Sequence, residues 1–455
     1  MKKILSLLCL CPVLTMAQTN EDAVMIKRIS DEILTNGKAY DMLHQLTKQI
    51  GGRLAGSPQF AKAVQWGKTT MEQNGGDKVY LQECMVPHWV RGGKDQASVV
   101  SIDQKTANRK LDATALGNSL GSGKALTADL VLVADFAELE RRKDEVKGKI
   151  VYYNYAFNPT NVQTFVSYGD AGIYRYAGAS RAAKYGAAGV MIRSLTSSTA
   201  NDPHTGAMKY NDSFPKIPAI AIGPRDADYL WDLGKKSNVK VSMTTSGHFL
   251  PDTIGHNVIA EWKGSEFPDQ YITIGGHLDS WDVNEGAHDD GAGVVHTIEV
   301  MRALKALGYH PKHSIRFVLF ANEENGLRGG IKYAAAAKDK GEKHVFALES
   351  DAGGFTPRGF SIAGSKEQLA KLQSWIPLLA PYGTSFIVGE GGGADIGPLN
   401  KNFGTAYGEL LPDSQRYFDY HHARSDVFEN VNKRELLLGA VNMTALIYLV
   451  DKYGL

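Results

Sequence analysis

Several short segments of this chain bring imidazoles and carboxylates together at spacings that suit a hydrolytic metal. Gly276-His277-Leu278-Asp279-Ser280-Trp281 is followed by His288-Asp289-Asp290-Gly291-Ala292-Gly293, then by Glu323-Glu324, Glu349-Ser350-Asp351 and Tyr420-His421-His422-Ala423-Arg424-Ser425-Asp426. A single acid after a strand is usually a helix cap or a solvated turn. Taken together, these segments supply the imidazole and carboxylate set that zinc uses for hydrolysis, and one shared carboxylate lets two ions sit roughly 3.5–4 Å apart. Asp279, two residues after His277, is placed to orient that imidazole, and Asp426 could serve His422 in the same way. The glycine-rich stretch Gly389 to Ile396 lacks GxGxxG spacing after a strand, which argues against a nucleotide site; it reads as a flexible loop on the substrate side.

These segments stand where strands end. From His256 onward, Tyr271–Ile274 runs into His277, Ile315–Phe320 into Glu323-Glu324, and Val345–Leu348 into Glu349 and Asp351. Helical patterns lie between them. One, ending near Leu307, has an apolar stripe of Val294, Val295, Ile298, Met301 and Leu304, with Glu299, Arg302 and Lys305 opposite. The alternation predicts an α/β fold with a parallel sheet, in which functional groups gather beyond the carboxyl ends of the strands. Upstream, Glu21 to Leu34 reads as a helix and Gly51 to Ser57 as a loop, with Pro58 opening another helix that breaks at Gly75-Gly76. From about Ser122 to Thr245 the texture changes to short strands and Ala-rich helical turns, a separate smaller unit.

With 455 residues, 43% of them apolar and 22% charged, the chain can bury a large core and hold more than one domain. A net charge of +1 without a long basic run excludes a nucleic-acid partner. Met1-Lys2-Lys3, an apolar run to Leu14, and Thr15-Met16-Ala17 form an export-signal pattern cleaved after Ala17, so the expected location is secreted or periplasmic. Leu8 and Leu10 precede the two early cysteines and argue against a lipid anchor. No later apolar run approaches the roughly 20 residues that span a bilayer. Cys84 is then the one cysteine of the mature chain, read as inert and half-buried, with no internal disulfide.

Residues 256 to 430 resemble the M28 family of zinc aminopeptidases and carboxypeptidases, with His-x-Asp, Asp-Asp-Gly-x-Gly, Glu-Glu, Ser-Asp and His-x-x-x-Asp in the family's order. The middle unit resembles a protease-associated domain, which narrows the likeness to the carboxypeptidase Q branch; Arg53-Leu54-Ala55-Gly56-Ser57-Pro58 also resembles a family segment. The resemblance implies a mixed, mostly parallel sheet flanked by helices, with an inserted protease-associated domain. The implied division is 1–17 signal peptide, 18–121 and 250–455 catalytic domain, and 122–249 insert. It implies two zinc ions: His277 and Asp351 on one, Glu324 and His422 on the other, Asp289 bridging, and Glu323 as general base. Asp289 stands four residues before Gly293, which leaves Asp290 to the scaffold. His422 stands four before Asp426, with His421 its adjacent alternative. The implied activity is exopeptidase cleavage of dipeptides or short peptides, by a chain that forms a homodimer. A non-catalytic binding protein on the same fold and a one-zinc acyltransferase resembling glutaminyl cyclases are the competing readings. The end of the peptide that is trimmed stays open, with Arg358, Arg416 and Arg424 as candidates for a carboxylate clamp. Other histidines, His204 and His288 among them, read as packed or surface residues, with His288 closest to the expected cleft.

Overall fold

A computed structural model describes residues 11–455; residues 1–10, and with them most of the expected export signal, lie outside the described residues. The first of two eight-stranded sheets runs in the order Lys78–Val90, His248–Trp262, His313–Phe320, Phe267–His277, Lys343–Glu349, Ala406–Pro412, Pro357–Ala363, Phe386–Val388. Its centre is parallel, antiparallel pairs lie to either side, and the last pair, Pro357–Ala363 with Phe386–Val388, is parallel again, so the sheet is mixed. His313–Phe320 is buried along its whole length, as expected of a central strand covered on both faces. The parallel register sets His277 beside Phe320 and Gly275 beside Glu349. The loops carrying His277, Glu323 and Asp351 therefore leave the sheet at the same edge.

Alternate residues of these strands feed two apolar layers. Ile272, Phe317, Leu319 and Phe346 pack toward Ala292–Ala306 and Lys433–Tyr453, while Val318, Phe320 and Ala347 pack toward Tyr333 and Ala334 of the helix Arg328–Asp339. Two expectations change here. The Glu299 side of the helix Ala292–Ala306 is not a solvent face. It lies under the N-terminal helices, and Glu299 is fully buried, taking the Lys38 amide and the Arg302 guanidinium, which also reaches Glu32. The 21-residue helix Lys433–Tyr453 is also long and apolar enough, by composition, to cross a membrane. Its apolar character comes from burial on every side rather than from a continuous apolar run: 83% of its most apolar window is covered. Its polar groups are paired internally, Asn442 with Tyr382 and Thr384, and Asp451 with Tyr309 and His313.

The second sheet runs Lys105–Leu111, Gln96–Ile102, Val239–Thr244, Leu126–Val133, Ile150–Tyr153, Gly189–Arg193, Ala219–Ile222, Ala113–Ala115. The helix Thr164–Ala183 covers one face and Pro224–Gly234 the other, each over its own apolar cluster. Lys78–Val90 carries the chain out of the first sheet and His248–Trp262 brings it back, paired antiparallel along almost their full length.

Gly51 to Ser57 forms the expected loop and Pro58 opens the helix Pro58–Gln73, capped by the Ser57 hydroxyl. Within that loop Arg53 is fully buried. Its guanidinium donates to three carbonyls of the metal-segment loop: Leu278 at 2.6 Å, Glu285 at 2.7 Å and Gly286 at 3.0 Å. Arg53→Met would leave those carbonyls unpaired in the interior, at ~1–3 kcal/mol for each one that finds no water. A fall in unfolding free energy of about 3 kcal/mol or more is expected from denaturant titration, and a loss under about 1 kcal/mol would refute this role.

Candidate metal centre

His277 ends its strand with its ring 1% exposed. Its Nδ1 lies 3.0 Å from the Asp279 carbonyl oxygen. A carbonyl only accepts, so Nδ1 carries the proton and the Nε2 lone pair is free. That Nε2 faces Asp289 Oδ1 at 3.2 Å and Asp351 Oδ1 at 3.3 Å. On the far side of Asp289, Oδ2 lies 3.2 Å from His422 Nε2, which in turn lies 3.1 Å from Glu324 Oε2. Two three-group sets thus share one carboxylate, each with a single imidazole.

The remaining acids hold backbone. The Asp290 carboxylate accepts the amides of His277 (3.0 Å) and Gly293 (2.8 Å), so although it lies within reach of His277 and Asp351 both of its oxygens are engaged. Asp426 does not turn toward His422; it accepts the amides of His288 and Asp289, at 2.7 and 3.1 Å. The Asp279 carboxylate lies 3.8 Å from His277 Nδ1 and takes the amides of Glu323 (3.0 Å) and Glu324 (3.4 Å). The Asp279 backbone carbonyl, rather than its carboxylate, makes the shorter contact to the imidazole. His421 stacks on His422 with ring centroids 3.6 Å apart, and its Nε2 lies 3.7 Å from Asp289 Oδ2. Of the two, His422 makes the shorter contact to Asp289 and the only one to Glu324.

The second sheet's unit reaches into this centre at points the sequence did not mark. Thr205 donates its amide to the His422 carbonyl (2.9 Å) and presents its own carbonyl to His422 Nδ1 (3.3 Å). His204 Nδ1 donates to the His421 carbonyl at 2.7 Å. This clamp holds His422 at φ 62°, a left-handed backbone uncommon outside glycine. No residue pattern around 204–205 announces the contact. His288 is packed: stacked on Phe355 at 4.2 Å, with burial pushing its pKa down to about 4. Cys84 is likewise inert, its thiol pushed up to about 11 by burial. Gly389 to Ile396 is anchored rather than loose, through Ser361 Oγ to the Gly391 carbonyl and the Ile396 amide to Glu349.

The protonation of the metal-free centre shows which charge it requires. Burial, reinforced by Asp351, Asp279 and Asp289 against the opposing His277, pushes the Glu323 carboxyl up to about 8; burial also raises Glu324 and Asp351. Burial disfavours an imidazolium at His277, yet Asp351 and Asp289 hold its pKa well above the usual value. The raised carboxyls mark buried, crowded negative charge that cations would relieve, and the donor set of nitrogen and carboxylate oxygen suits zinc.

Over the centre lies a cleft of ≈ 550 Å³ lined by both sheet units. All its acids, Asp289, Glu323, Glu324 and Asp351, belong to the centre; of its lysine and arginine side chains, Arg175, Lys209 and Arg328, Arg175 comes within 3.4 Å of His422 Nδ1. The three arginines expected as clamps lie elsewhere: Arg358 pairs with Asp413, Arg424 with Asp112 and Asp202, and Arg416 stacks over Tyr420.

Residues 257–447 match the profile of Peptidase family M28. Carboxypeptidase Q of Homo sapiens is 34% identical over 419 residues, 91% of this chain and 85% of that protein; the Xenopus laevis protein is 33% identical over 427 residues, 92% and 88%. The chain belongs to peptidase family M28. The M28 chain is also similar to the crystal structure of a Peptidase M28 precursor from Shewanella amazonensis, with a TM-score of 0.89 and 32% identity over 95% of this chain and 97% of the other. A zinc aminopeptidase from Bacillus subtilis shares the fold, with a TM-score of 0.65 at 19% identity. The M28 chain is a zinc metallo-exopeptidase, as its sequence motifs led one to expect.

Chelation should destabilise it in a pH-dependent way. A carboxyl raised in the folded state, as Glu323 is, contributes stability that is fully present below its unfolded pKa near 4.5 and is lost as pH rises to about 8. The gap in melting temperature between zinc-loaded and chelated protein should therefore widen from about pH 5 to about pH 8. Thermal melts across that range test this, and a gap that stays flat would contradict it.

Proposed function

We propose that this M28 chain is an exported di-zinc exopeptidase that hydrolyses dipeptides or short peptides, with Glu323 as general base. The observation that carries the reading is Asp289, whose two oxygens face different imidazoles, each at 3.2 Å. On this reading His277 and Asp351 hold one zinc, Glu324 and His422 the other, and Asp289 joins them. When bound, the ions polarise the scissile carbonyl and lower the pKa of water to about 7. Glu323 lines the cleft beside both sets, free of the hydrogen bonds that occupy Asp279 and Asp290. It takes a proton from the attacking water and delivers it to the leaving amine. Asp279 is a positioning residue that fixes the amides of Glu323 and Glu324, so that neighbouring acids point to different tasks.

In this proposal the second sheet is a protease-associated domain that walls the cleft; its strands begin at Gln96, ahead of the expected start at 122, because Gln96–Ile102, Lys105–Leu111 and Ala113–Ala115 pair into this sheet and not into the first. Carboxypeptidase Q, the name of several relatives, supports trimming from the carboxyl end. Export rests on the signal pattern of residues 1–17 and on the likeness to a protein described as a precursor.

Metal analysis should find two zinc ions per chain; one would favour the cyclase-like reading. Glu323→Gln should keep both ions and lose ~10²–10⁴ in kcat on a dipeptide. Activity within about threefold of wild type, with zinc retained, would remove Glu323 from the role of base.

A further inference from the structure

The cleft does not end at Tyr176 and Lys209. Those two residues form a ridge shared with a second cavity, of ≈ 540 Å³, in the second sheet's unit. Phe136, Tyr176, Tyr185, Tyr210 and Phe214 are among its walls, so it can take an apolar side chain out of water. Those walls are held by the fold. The Lys209 amide donates to the Tyr176 carbonyl at 2.9 Å, and the Ser180 hydroxyl accepts the Asn211 amide at 2.8 Å while donating to the Lys209 carbonyl at 3.3 Å. Residues 207–211 are thereby stitched along the helix Thr164–Ala183, with Ala207 to Lys209 lining the cleft and Lys209 to Asn211 lining the cavity.

The rim of the cavity is positively charged. Arg181 lies over the Phe136 ring, 4.2 Å from its centroid, and Lys209 is exposed; neither forms an ion pair among the described residues. Glu140, the acid in the lining, is occupied by the Tyr185 hydroxyl and by Lys184 at 3.8 Å. An aromatic pocket with such a rim favours an aromatic side chain with an acid next to it and disfavours basic segments. Chain length ties the pocket to the metal centre. The Thr205 amide meets the His422 carbonyl, and the six peptide units from Thr205 to Asn211 span at most about 22 Å. An extended hexapeptide covers that distance, and a dipeptide does not.

We propose that this cavity is a remote subsite that binds the uncut end of a longer peptide through an aromatic side chain about four or five residues from the cleaved bond. The assignment rests on the exopeptidase reading and extends its substrates to peptides of about six residues with an aromatic-acidic pair at the far end. Contacts made there are the same before and during bond cleavage. They lower KM and leave kcat nearly unchanged.

The test uses the zinc-loaded full chain and two non-hydrolysable hexapeptides whose terminal peptide bonds are reduced, with binding measured by calorimetry. They are alike except that the end away from the cut carries Phe-Glu in one and Ser-Gly in the other. The Phe-Glu peptide should bind about 10–100-fold tighter to the wild type, the range expected for burying one large apolar side chain. Ala177 lines the cavity and not the cleft, so Ala177→Trp should fill the pocket and bring that ratio to within about threefold. Arg181→Glu, at an exposed position, should lower the ratio by a smaller factor by reversing the charge of the rim. Hydrolysis of a dipeptide should stay within about twofold of wild type in both variants. Equal binding of the two hexapeptides by the wild type, or a ratio that survives both substitutions, would overturn the proposal while leaving the peptidase reading intact. A change of oligomer mass in Ala177→Trp with the ratio unmoved would assign the cavity to contact between copies of the chain, and would overturn it too. Conversely, a cavity-dependent ratio in a protein that cleaves no peptide would sustain the peptide-binding cavity and defeat the peptidase reading.

Discussion

The structure turns on negative charge gathered in its interior. Asp289, Glu323, Glu324 and Asp351 converge at one edge of the parallel strands, with two imidazoles to share among them. Like carboxylates at such range cannot all ionise in a buried site unless positive charge balances them. Burial, reinforced by the neighbouring carboxylates, raises Glu323 and Glu324, while Asp289, set between two histidines, is held well below its usual range. Divalent cations answer the same requirement with far larger charge. Metal affinity and the stability of this half of the molecule are thus one problem.

Around that charge, acids that never face the cleft fix the backbone. Asp279, Asp290 and Asp426 each accept two amides, and those amides belong to Glu323 and Glu324, to His277 and Gly293, and to His288 and Asp289. His277, Asp289, Glu323 and Glu324 therefore have their main chains held by an acid distant in sequence or just beyond them. Arg53 completes the frame from the other direction by gathering three carbonyls of the loop that carries Asp289 toward the site. Preorganisation of this kind lets the side chains meet ions and substrate without a further ordering cost.

The second sheet's unit holds residues of the candidate centre as well as walling the cleft. Thr205 and His204 clamp the His421-His422 turn through main-chain contacts, and Arg175 and Tyr168 stand beside the same imidazole. Those contacts join segments more than 200 positions apart. The geometry of the candidate centre thereby depends on how the two units pack.

The sequence alone determined the parts whose signal is local. Strands buried on both faces show as apolar runs, and the acids and histidines follow where those runs stop; adjacent pairs such as Asp289-Asp290 and His421-His422 were ranked only by the spacing of the family that the chain resembles. Its limits were physical. Whether Glu299 faces water or a covering helix, whether Lys433–Tyr453 is a core helix, and whether Asp279 touches an imidazole or two amides depend on which distant element lies opposite, which hydrophobic periodicity does not encode. The same reason left Arg358 and Arg424 looking eligible as carboxylate clamps. A guanidinium's role is set by the partners it finds in three dimensions, and only the folded chain placed acids beside those two.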